Sequence, residues 1–137
     1  MSSAAHTLYT IALGAWVAHA RKAAGLNQEQ LGARVGVSQP VISRWERGKA
    51  AMGAWELRCV AGAVGATLPQ AMAEVEAAQA AIFGAARALA GKPLDTPEEL
   101  LRTVGGKVLA ALASGAVRMP EGAANRAPPQ EKTAAQQ

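Results

Sequence analysis

Aromatic residues make up only 4% of this 137-residue chain, and there is a single cysteine, Cys59. A lone cysteine excludes an internal disulfide, so no covalent framework holds the fold. Cys59 lies in an apolar helical run and reads as a buried structural thiol rather than a redox sensor. Two histidines and one cysteine at unrelated spacings make no metal site. No stretch alternates polar and apolar residues with β-branched enrichment, which argues against a sheet. The apolar run Leu8 to Ala18 is too short to cross a bilayer. Ala18-His19-Ala20 after it mimics a signal-peptide cleavage site, but no Lys or Arg precedes the run, so a cytoplasmic protein is expected. No nucleophile–base pairing and no phosphate-cradling glycine loop is visible, so neither an enzyme nor a cofactor is expected.

What remains is largely alanine and charge. Half the residues are hydrophobic. With so few rings, the core must be built from small side chains on close-packed helices, and an all-α fold follows. The net charge of +4 is unevenly placed. Residues 1–60 hold seven Lys/Arg against three Glu, whereas residues 61–137 hold seven charges of each sign. The whole positive excess therefore lies in the first half, as a polyanion-binding surface requires.

Punctuation along the chain predicts a series of helices. The first runs from about Thr7 to Ala24 and stops at Gly25. A short one covers Gln28 to Val35, with Asn27 as cap and Leu31 and Val35 apolar. A tight turn at Gly36 leads to Ser38, a good N-cap residue, and to a helix ended by Gly48 that turns Val41, Ile42 and Trp45 inward. Its other face shows Gln39, Ser43, Arg44 and Arg47. A fourth helix spans roughly Ala54 to Val64. Thr67-Leu68-Pro69 starts a further helix, or two in series, carrying Met72, Val75, Ala78, Ile82, Phe83, Ala86 and Leu89 at helical spacing. Thr96-Pro97-Glu98-Glu99 is another start, followed by an apolar stripe of Leu100, Leu101, Val104, Val108, Leu109 and Leu112. From about Pro120 onward the composition predicts a disordered tail.

A helix with Gln, Ser and Arg on its exposed side, braced by a short preceding helix, suits the DNA major groove. The stretch from Leu13 to Met72 resembles the Xre-type, lambda-repressor-like helix-turn-helix family. The match rests on Arg21, Gly25-Leu26-Asn27-Gln28, Leu31, Val35-Gly36-Val37-Ser38, Ile42-Ser43, Trp45-Glu46, Gly48-Lys49, Leu57, Ala61 and Val64-Gly65. It covers a little under half the chain.

The resemblance implies a five-helix DNA-binding domain over 7–76, with the third helix in the major groove. Carried over by position, Gln39, Pro40, Ser43 and Arg44 face base edges. Gln28, Ser38, Arg47 and Lys49 contact the DNA backbone, and Arg21 and Glu46 form a structural ion pair joining helix one to helix three. Pro40 departs from the polar, base-reading residue many relatives carry there; it offers only apolar contact, for instance to a thymine methyl. Taken alone, Arg44 and Arg47 would read as no more than a solvated helix face. Trp45 and Trp55 read as core residues.

Residues 77–116 read as a helical extension suited to dimerisation, the alternative being that its apolar stripes fold back onto their own domain, and 117–137 as the disordered tail. Trp16 occupies a position that is usually polar in the family and lines up with Leu8 and Ile11; it reads as a surface covered by the C-terminal helices or by a second subunit, the alternative being a lone exposed Trp. The dimerisation set is Trp16, Ile82, Phe83, Leu101, Val108 and Leu112. The expected function is a dimeric transcriptional repressor on an inverted-repeat operator in double-stranded DNA. The alternative is an antitoxin that binds a toxin as protein partner and controls its own operon.

Overall fold

The computed structural model describes residues 3–91 and 95–103. Five helices follow one another: α1 (Ser3–Ala23), α2 (Gln28–Val35), α3 (Gln39–Glu46), α4 (Ala54–Ala63) and α5 (Leu68–Ala90). Residues 97–103 are helical as well, and no strand occurs among the described residues.

Local chemistry sets most of the helix ends. Asn27 begins α2 with a reciprocal cap: its side chain accepts from the Gln30 amide at 2.7 Å, and Gln30 Oε1 accepts from the Asn27 amide at 2.8 Å. The same device starts α5 between Thr67 and Gln70. Between α2 and α3 the chain must reverse within a few residues. Gly36 does this at φ 79°, a left-handed conformation that a Cβ would strain, while its amide closes α2 onto Gly32 O. Ser38 occupies the N-cap of α3 in extended conformation, yet its side chain makes no capping bond, contrary to the expected role. Pro40 in the first turn already has no N–H needing a partner.

One core unites the helices. α1 packs on α3 and α5, α2 on α3 and α4, and α4 on α5. Leu8, Ile11, Trp16 and Val17 of α1 meet Leu31, Ile42, Trp45, Leu57, Val60, Val75 and Ile82 in a single apolar cluster. Burying a side chain of this size is worth about 1.5–3 kcal/mol. Leu100 belongs to the same cluster, so the chain beyond α5 returns to the domain. Its helix starts as the sequence implies, with the Glu99 amide donating to Thr96 Oγ1 at 3.2 Å.

Several expectations need correction. Trp55 is 68% exposed rather than core. It lies near the start of α4 on the side away from Leu57, Val60 and Ala61, and its ring carries the Arg58 guanidinium at 5.7 Å. Met72, placed on the apolar stripe of the following helix, is 45% exposed. Cys59 is half-buried, not enclosed. Trp16 is fully buried within its own chain, with its indole Nε1–H donating to Glu74 Oε1 of α5 at 2.9 Å. Of the two ways to cover Trp16, the chain uses its own later helix. Ile82 is equally buried, so both are core residues, whereas Phe83 and Leu101 are half-buried. Val108, Leu112 and the tail lie outside the described residues. Of the two forms expected after Thr67, one helix or two in series, α5 is the single helix, 23 residues long.

Candidate nucleic-acid interface

The outward side of α3 follows from its inward side. Ile42 and Trp45 anchor the helix in the core, and their spacing leaves 39, 40, 43, 44 and 47 on the opposite face. Gln39, Pro40, Arg44 and Arg47 are exposed, and Ser43 is half-buried beside them. Lys49, just beyond the helix, is exposed too. The Arg47 Nε–H reaches back to Ser43 O at 3.3 Å, which holds the guanidinium along the helix flank. Ser38 lies exposed where α3 begins, and its hydroxyl is not engaged in capping. An exposed hydroxyl at a helix N-terminus is suited to phosphate.

Beneath this face lies a polar network. Arg21 Nε–H and Nη2–H donate to the two carboxylate oxygens of Glu46 at 2.6 and 3.0 Å, and Arg21 Nη1–H donates to Leu26 O at 2.8 Å. Both side chains of the pair are nearly buried, at 10% and 7% exposure. The two-pronged geometry is the favourable one for a desolvated ion pair. Glu46 also accepts from Gln28 Nε2 at 2.9 Å, and Gln28 Oε1 in turn accepts from Gln39 Nε2. The ion pair between helix one and helix three is therefore present, and it continues through Gln28 to the exposed start of α3. Gln28 is half-buried within this chain of bonds.

The position of α3 depends on a close backbone approach that sequence periodicity does not signal. A Cβ built on Gly14 of α1 would collide with Trp45 O and stand 3.0 Å from Glu46 O, backbone atoms that cannot rotate away. Gly32 is tight in the same way, with Val37 O at 2.5 Å from such a Cβ. Glycine in an otherwise apolar helix was the one available hint.

The electrostatics suit an anionic partner. Arg44, Arg47 and Lys49 are exposed at or next to α3, while Glu46, the one acidic residue of that helix, is neutralised inward by Arg21. Among the described residues no helix is long and apolar enough to cross a membrane.

No curated protein and no solved structure is matched by the chain. A family model does match: the one described as Helix-turn-helix covers residues 17–51, from the last turns of α1 through α2 and α3 to the loop beyond. The matched segment contains the ion pair, the glutamine bridge and the whole outward face of α3, and over it the chain is similar to the Xre, lambda-repressor-like helix-turn-helix family of DNA-binding regulators.

Proposed function

We propose that the protein is a cytoplasmic transcriptional repressor that reads a specific operator through α3, two copies together occupying an inverted repeat. The observation that carries this reading is the outward face of Gln39, Pro40, Ser43, Arg44 and Arg47 on a helix anchored from below by Ile42, Trp45 and the Arg21–Glu46 pair. In this reading Gln39 pairs with adenine and Arg44 with guanine, each good two-bond contact being worth about 1–3 kcal/mol of discrimination. Ser43 adds a hydroxyl, and Pro40 an apolar contact to a thymine methyl. Gln28, Ser38, Arg47 and Lys49 hold phosphates and set the register without reading sequence.

One helix-turn-helix covers a single half-site, so specificity calls for a pair of copies whose centres lie about 10 bp apart on the duplex. With Trp16 and Ile82 committed to the core, Phe83 and Leu101 remain from the proposed pairing surface, together with Val108 and Leu112.

Selection of bound fragments from a random DNA pool tests the whole reading. A two-fold symmetric consensus is the expected result. Failure to enrich any sequence would overturn it, and an asymmetric single half-site bound by a monomer in sedimentation would overturn the paired form.

A further inference from the structure

The Glu46 carboxylate takes two hydrogen bonds from Arg21 and one from Gln28 Nε2. A carboxylate accepts hydrogen bonds and donates none. The Gln28 amide is therefore turned with its NH2 toward Glu46, which leaves its Oε1 facing α3. That oxygen also only accepts, so Gln39 must turn its own NH2 toward Gln28, as it does. One N–H and the Oε1 of Gln39 are left over at the exposed start of α3. A donor beside an acceptor, in a set order, is what the N7 and N6 edge of adenine requires.

We infer that Glu46 is a positioning residue for sequence readout: it sets the polarity of two successive amides and thereby makes Gln39 selective for adenine. The inference rests on the reading of Gln39 as a base contact. It gives the ion pair a second task besides joining α1 to α3. An amide released from this relay turns freely, presents donor and acceptor in either order, and matches more than one base edge.

The test compares the full-length protein with Q39A, E46L and R21K on the selected operator and on three versions substituted at the base pair that Q39A identifies. Q39A is expected to remove the preference there, a change of about five- to 150-fold. E46L removes the oxygen that accepts from Gln28, which a glutamine would retain, and should lose most of the same preference. R21K keeps the carboxylate and should keep the preference, although the protein melts earlier. A preference retained by E46L but lost in Q39A overturns the inference alone, as does equal loss in R21K and E46L, the mark of a mere brace. A preference retained by Q39A overturns the base-contact reading and the inference with it. Should E46L not fold by circular dichroism, Q28L cuts the relay with the ion pair intact, and retention of the preference there is equally fatal.

Discussion

The indole of Trp16 is tied to Glu74, its Nε1–H donating to Oε1 at 2.9 Å across the contact between α1 and α5. A large ring can be buried here because its one polar atom finds a carboxylate on the helix that covers it.

Replacing Glu74 by Leu strands that donor in an apolar setting. Glu74→Leu should lower unfolding free energy by about 1–3 kcal/mol, and Glu74→Gln by less, since an amide oxygen still accepts. Denaturant titration of the three proteins, followed by Trp fluorescence, checks the order.

Trp55 and Trp16 should behave as opposites. Trp55→Ala is expected to change stability by no more than about 0.5 kcal/mol, as for other exposed positions. Trp16→Ala should cost about 3–5 kcal/mol. Acrylamide should quench a component of the fluorescence in the parent protein that disappears in the Trp55 variant.

Gly14→Ala should be among the most damaging small changes in the chain. The added methyl meets the Trp45 and Glu46 carbonyls, so α1 and α3 must separate. Overpacking of this kind costs about 1–3 kcal/mol. Since α3 moves, operator affinity should fall along with the melting temperature; full activity at unchanged stability would show that the helices do not approach this closely.

Arg44→Ala and Lys49→Ala should separate reading from holding. The Arg44 change is expected to relax preference at one base pair of each half-site. The Lys49 change should weaken binding to all sequences and reduce the slope of log affinity against log salt by about 1. Binding assays at several salt concentrations, on operator and unrelated DNA, distinguish them.

The helix ends were legible because their chemistry is local: Asn27, Gly36 and Thr67 act within one turn of themselves. So was the ion pair, since Arg21 and Glu46 stand in register with a family pattern. Trp55 was misjudged because bulk was allowed to outweigh register. With Leu57, Val60 and Ala61 facing inward, residue 55 lies on the far side of the helix. Ser38 looked like a cap by residue type, whereas its side chain makes no capping bond. The Gln28–Gln39 bridge and the Gly14 approach were illegible for a deeper reason. Both are contacts between helices, and periodicity reports only which face of each helix is apolar, not what lies across from it.

The unbroken course of α5 bears on autonomy. Ala78, Ile82, Ala86 and Leu100 are buried in the same cluster as the residues beneath α3, although all four lie beyond residue 76. A fragment ending at residue 76 would lose these four interior side chains, Ile82 and Leu100 being worth about 1.5–3 kcal/mol each, and should melt earlier than the whole chain. The outward face of α3 thus shares its core with side chains far outside the 17–51 segment that the family model matches.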